Sequence, residues 1–198
     1  SGTRDRNNAR QLEWNVRLDP AGYAAIFEAP CPVYWLPCFE VAPVAQQPMR
    51  VAEYGSFYRF RQGEVLPHLS NRLQNFFLFM YSARKIPDGL WLQQLTAPVD
   101  AVEVAVQSAR DRNMWCTAGF LHAAGLTVSK SGEIGLLTTT RDPVFTFEPI
   151  RVKCSAAGVT EWTKDPLSKD RFILRVTDVE RYPSAMTAAL KSLLMEQP

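Results

Sequence analysis

The chain has 198 residues, 46% hydrophobic and 21% charged, which supplies enough apolar material for the core of one domain. Its 22 basic and 20 acidic residues leave a net charge of +2, so there is no reason to expect a nucleic-acid polymer or an anionic membrane as the main partner. No apolar run reaches the roughly eighteen residues a transmembrane helix needs, and no signal peptide is visible.

Residues 1–11 are polar, with Arg4, Asp5, Arg6 and Arg10 among them, and read as an exposed loop. Asp19-Pro20 has the form of a helix start, with Asp19 at the N-cap and Pro20 at the first helical position. Ala21 to Phe27 then reads as a short helix that buries Ala24, Ile26 and Phe27. Cys31 to Phe39 is apolar on both faces and suits a central strand of a parallel sheet, stopped by Pro37. Residues 40–50, with Pro43 and Pro48, read as a loop. Ser70 is placed to cap a helix whose Leu73, Phe76, Phe77 and Met80 form an i, i+3, i+4, i+7 core stripe. Tyr58, Arg59 and Arg61 before it are candidate lid or pocket residues. Asp88-Gly89 marks a turn, and Trp91 and Leu92 begin a short apolar piece.

Val99 to Arg110 predicts a helix with Val102, Val106 and Ala109 on one face, and Met114 to Val128 a second, with Gly125 as its stop. The last third is strand-like. Runs at 135–140, 144–148, 150–154 and 171–176 are β-prone or alternate. Pro183 or the residue before it opens a final amphipathic helix with Met186, Leu190, Leu193 and Leu194 on its apolar face. The four cysteines, Cys31, Cys38, Cys116 and Cys154, form no C-x-x-C pair and lie far from His68 and His122. They read as reduced, partly buried thiols, as in a cytosolic protein, and not as a zinc site.

The stretch Leu12-Glu13-Trp14-Asn15 carries the candidate site. On an extended chain Glu13 and Asn15 point the same way. A carboxylate beside an amide just before a helix suits vicinal hydroxyls, as on a sugar, because both accept through oxygen and Asn15 also donates. A helix cap or a solvated turn is the alternative reading. Asp111 and His122 read as a surface charge and a partly buried histidine.

Glu13-Trp14-Asn15, then Asp19-Pro20 and a small-residue helix ending in Ile26-Phe27, then Pro32 to Pro37, resembles the central segment of the inosine-uridine nucleoside hydrolase family. There a Glu-Phe-Asn triplet precedes an Asp-Pro helix and a buried strand. The order of elements matches over about the first forty residues and weakly afterwards. The resemblance implies that Glu13 and Asn15 contact ribose hydroxyls. It also implies cleavage of an N-glycosidic bond, with calcium holding a water and the sugar.

The family's N-terminal acidic cluster, D-x-D-x-x-x-D-D, does not occur in this chain. Calcium is therefore expected only if that cluster is present in a longer protein, of which residues 1–198 would be the C-terminal portion. The family's late His-Asp pair has Trp115-Cys116 as its best counterpart, with Asp111 as a register-shifted alternative for the Asp. Cys is a poor calcium ligand.

The expected fold is α/β, a single domain with a mostly parallel sheet flanked by helices and a β-rich C-terminal segment. The expected function is a nucleoside hydrolase-like protein, inactive as this chain alone. The alternatives are a non-catalytic sugar- or nucleoside-binding domain and an interaction domain without a small-molecule site. Expected partners are a nucleoside or sugar and, by the family's habit, further copies of the chain.

Overall fold

A computed structural model describes residues 12–38, 49–81 and 91–196. The loop readings of residues 1–11 and 40–48, and the Asp88-Gly89 turn, lie outside the described residues. The chain begins with two short helices, α1 (Trp14–Leu18) and α2 (Pro20–Ile26), and strand β1 (Val33–Trp35). Strand β2 (Tyr58–Arg61) runs through two 3-10 turns into α3 (Asn71–Tyr81). Helices α4 (Trp91–Gln94) and α5 (Ala101–Ser108) follow, then β3 (Asp111–Met114), α6 (Thr117–Ala123), β4 (Leu126–Val128) and β5 (Ile134–Leu136). Three longer strands, β6 (Phe145–Cys154), β7 (Thr160–Lys164) and β8 (Arg171–Val176), precede the last helix, α7 (Tyr182–Met195).

Among the described residues, β1-β8-β6-β7 form a four-stranded sheet, and β2-β3 and β4-β5 form separate two-stranded ladders. The fold is a mixture of helix and sheet, but the sheet is not mostly parallel. Only β1 and β8 run parallel; β6 pairs antiparallel with both β7 and β8. The reason is connection length. A tight turn closed by Ser155 N–H to the Val159 carbonyl at 2.9 Å joins β6 to β7, and a hairpin of that kind can only be antiparallel.

The sheet is covered on both faces, and the period-two alternation of its strands sorts the side chains. Leu174, Val176, Phe145 and Phe147 face one cluster with Tyr58, Leu121, Tyr182 and Met186. Ile173, Ile150, Val152 and Trp35 face a second with Tyr23, Phe27 and Tyr54. Thus α6 and α7 lie over one face and α2 over the other. Among the described residues no helix is long and apolar enough to cross a membrane.

Several local expectations hold. Asp19 caps α2, accepting from the Gly22 N–H at 2.8 Å, with Pro20 at the first position. Ser70 accepts from the Leu73 N–H at 3.4 Å at the start of α3. Others are corrected. Glu13 and Asn15 are not extended: Glu13 is the N-cap of α1 and Asn15 lies in its first turn. Phe27 is buried but Ile26 is 54% exposed. Helix α3 buries Asn75 and Leu78, while Met80 is exposed, because Asn75 donates to the Ala97 carbonyl at 2.7 Å and turns that face inward.

Helix α5 is rotated likewise: Val102 and Val106 face outward and Gln107 is buried. The segment 114–128 is not one helix. It is the end of β3, a short helix stopped before Gly125, and β4. The β-prone run at 135–140 is strand only to Leu136 and then turns. Strand β7 adds to the strands read from the sequence.

Candidate functional site

The site grows from α1. Glu13 caps this helix by accepting from the Asn15 backbone N–H at 3.0 Å, and its other carboxylate oxygen accepts from Asn15 Nδ2 at 2.8 Å. The two side chains are locked side by side by those two bonds. Each carboxylate oxygen keeps acceptor capacity, and the Asn15 amide keeps its own oxygen. Trp14 between them is 67% exposed, while Val16 is fully buried and anchors the helix. Val16 packs against the turn between β6 and β7. A Cβ at Gly158, whose φ is +80°, would meet Val16 Cγ1 at 2.6 Å, so only glycine lets the turn close on α1.

Arg171 at the start of β8 fixes the chain leaving α2. It donates from Nε to the Phe27 carbonyl at 2.8 Å, from Nη2 to Ala29 at 2.7 Å and from Nη1 to Cys31 at 3.0 Å. That leads into β1, and Pro37 and Cys38 follow it.

The other half comes from β3 and α6. Met114 is paired with Tyr58, and Trp115 then turns its ring onto Phe57, centroids 5.6 Å apart. Cys116 sits at the N-cap of α6 in the left-handed region, φ +61° and ψ +2°. A non-glycine residue there is strained by about 1 kcal/mol or more. The strain is held in place by buried neighbours. Ala118 and Leu121 pack into the core, and Thr117 Oγ1 donates to Tyr58 Oη at 3.4 Å. A Cβ at Gly119 would lie 3.0 Å from Leu36 Cδ2, so the glycine lets α6 rest on the end of β1.

Ser56 joins the two halves. Its N–H and its hydroxyl both donate to the Pro37 carbonyl, at 2.7 and 2.8 Å, and its Oγ is 3.8 Å from Cys116 Sγ. Tyr182 of α7 donates to the Ser56 carbonyl at 3.4 Å and holds the segment from behind. Cys38, 7% exposed, lies close enough to Cys116 for the two thiols to shift each other's titration. The interaction with Cys38, helped by Ser56, lowers the Cys116 thiol against the opposing effect of burial. The same interaction, reinforced by burial, raises Cys38 far above the usual thiol range. The negative charge of Glu13 acts on both thiols and raises each.

The charge of Glu13 thus reaches Cys116, while Asn15 is tied to Glu13 and Trp115 packs on Phe57. Asp111 lies at the far end of β3 from Cys116, where it pairs with Arg61 at 3.7 Å on the surface. Cys116 also opens onto an open groove of about 680 Å³ lined by Tyr34, Leu36, Gly119, His122 and Phe147. There the His122 ring lies 4.6 Å from Tyr34 and 4.3 Å from Phe147, and burial lowers its pKa.

Cys38 and Ser56 were not anticipated. Both are far from Cys116 in sequence, and no local pattern marks them. Among the described residues no three His, Cys, Asp or Glu side chains come together to hold a metal ion. A thiol at position 116 is a soft donor that does not suit calcium, so these residues do not fit a calcium site. No family model matches the chain, and neither a curated protein nor a solved structure matches it.

Proposed function

We propose that the chain is a nucleoside hydrolase-like protein that takes a ribosyl or similar vicinal-diol ligand at Glu13 and Asn15, beside Cys116. The observation that carries this reading is the locked Glu13–Asn15 pair, with Asn15 Nδ2 at 2.8 Å from the carboxylate, held within electrostatic reach of the thiol at the start of α6. A pre-oriented carboxylate accepts two hydroxyl protons from one diol with little ordering cost, and the neighbouring amide accepts or donates a further bond. The groove that Cys116 lines carries the rings of Tyr34 and Phe147, which suit the flat face of a base.

Hydrolysis of an N-glycosidic bond by the family route needs the acidic cluster that these 198 residues lack. Calcium enters this proposal only together with such a cluster. The present chain by itself binds without turnover. A purely non-catalytic nucleoside- or sugar-binding role is the second reading. The observation that favours it is the engagement of Cys116 by Cys38 and Ser56, which ties up the position where the family has a metal-binding carboxylate.

The test is a thermal-shift series with ribose, inosine and uridine, alongside their 2′- and 3′-deoxy counterparts. A ligand at a hundred times its Kd stabilises by about 2.7 kcal/mol, which is readily seen as a rise in Tm. The ribosyl compounds should raise Tm, the deoxy compounds should do so less, and Glu13→Ala should abolish the rise. Reducing-sugar release from inosine, with and without calcium, should stay at background. No shift with any of these ligands, or an unchanged shift in Glu13→Ala, overturns the reading.

A further inference from the structure

We infer that Cys38 and Cys116 form a hydroperoxide-reactive dithiol, with Cys116 as the attacking thiol and Cys38 as the resolving thiol, and that it closes to an intramolecular disulfide. This assignment does not depend on the ribosyl-ligand reading.

Three features of the geometry support it. One residue clamps both partners: Ser56 binds the Pro37 carbonyl, immediately before Cys38, through its N–H and Oγ at 2.7 and 2.8 Å, and its Oγ lies 3.8 Å from Cys116 Sγ. That clamp brings together two cysteines distant in sequence, and each thiol shifts the other's titration. Their access is asymmetric: Cys38 is 7% exposed, while Cys116 is half-buried and opens onto the groove of about 680 Å³ beside Tyr34 and Phe147. A small oxidant reaches Cys116 first, and Cys38 waits behind it.

The electrostatics run the same way. The interaction with Cys38 lowers the Cys116 thiol, and Cys38 is held protonated. A lowered thiol carries more thiolate at pH 7, offset in part by lower intrinsic nucleophilicity. Burial pushes Cys154 up to about 11, so it is the slow internal reference.

The step balances as follows. The Cys116 thiolate attacks one oxygen of hydrogen peroxide, the O–O bond breaks, and the hydroxide that leaves takes the Cys38 proton to become water. The Cys38 thiolate then attacks the sulfenic sulfur of Cys116. The S–S bond forms, and the second hydroxide leaves and takes a proton from solvent. Two sulfurs are oxidised by two electrons in all, and one peroxide is reduced to two waters.

The test treats the full chain with one equivalent of hydrogen peroxide, blocks remaining thiols with N-ethylmaleimide, and maps the peptides by mass. The expected product is a peptide pair joined through Cys38 and Cys116, lighter by two hydrogens, with Cys31 and Cys154 alkylated. Cys38→Ser should stop at a Cys116 sulfenic acid that dimedone traps. Cys116→Ser should leave Cys38 a free thiol after peroxide, fully alkylated once the chain is denatured. Should either variant fail to fold, the wild-type peptide map decides alone. Oxidation of Cys31 or Cys154 in preference to Cys116, a purely intermolecular disulfide, or oxidation of Cys38 in Cys116→Ser overturns the assignment.

Discussion

Arg175 on β8 donates from Nη1 to Glu148 on β6 at 2.7 Å, diagonally across the ladder in which Thr146 faces Arg175 and Ile173 faces Glu148. The same carboxylate accepts from Tyr54 Oη at 3.0 Å and pairs with Lys164 of β7 at 3.2 Å. One acid thus ties three strands of the sheet to the segment leading to Ser56. Partial burial pushes Glu148 up, but the bonds from Arg175, Tyr54 and Lys164 outweigh it and hold the carboxyl below its ordinary range.

The sign of its pH dependence follows. A depressed carboxyl stabilises the fold above its unfolded pKa of about 4.3, and that contribution is lost as pH falls through the lower folded value. Arg175 and Lys164 are both partly in solvent, which reduces the interaction. Glu148→Gln should therefore cost about 1 kcal/mol at pH 7. Urea midpoints measured from pH 7 down to 3 should converge between variant and wild type. A gap that does not narrow as pH falls would mean the loss is steric.

Arg171 serves three carbonyls at the exit of α2, those of Phe27, Ala29 and Cys31, and also that of Asp170 at 2.9 Å. A lysine ammonium is a point donor and cannot reach these separate acceptors from one position. Arg171→Lys should destabilise the chain by about 2 kcal/mol through the carbonyls left unpaired. Denaturant unfolding should show a lower midpoint at an unchanged slope, and an unchanged midpoint would rule the tether out.

Much of this region was legible from the residues, and the limits are instructive. Asp19-Pro20 marked α2 because capping is local: a side chain, its N–H and a ring within three residues. The same signal hid α1, since a one-turn helix capped by Glu13 leaves no periodicity to read. Val102 and Val106 announced an apolar face on α5, yet Gln107 is the buried residue. Which face is buried depends on what the helix packs against, and its own sequence does not encode that. The apolar run at Cys31 to Phe39 suits a central strand of a parallel sheet, but β1 is an edge strand and its pairing with β8 is the one parallel pair among the described strands. The Cys38–Cys116 contact joins distant segments and had no local trace.

The strained backbone of Cys116 can be measured directly. At φ +61° glycine carries no Cβ penalty, whereas alanine retains it. Cys116→Gly should be more stable than Cys116→Ala by about 1 kcal/mol, the reverse of their order inside a helix. Equal or inverted midpoints in thermal unfolding would show that the left-handed turn costs nothing here.

Gly158 and Val16 meet closely enough to be tested as a pair. Gly158→Ala adds a Cβ at a positive φ and 2.6 Å from Val16 Cγ1, and should cost about 2 kcal/mol. Val16→Ala removes the opposing methyl, so in the double variant the second change should restore part of the loss. A double-mutant cycle that returns no coupling would separate the turn from α1.

The parallel register Val33↔Arg171 sets a timetable for the molecule. Strand β1 is only three residues long, and its neighbour β8 is the last strand among the described residues. Val16 and Phe27, buried in the finished fold, meet the β6–β7 turn and the sheet face only across more than a hundred residues of intervening chain. Closing so long a loop is slow. The docking of β1 and the two helices before it is thus a late step in folding.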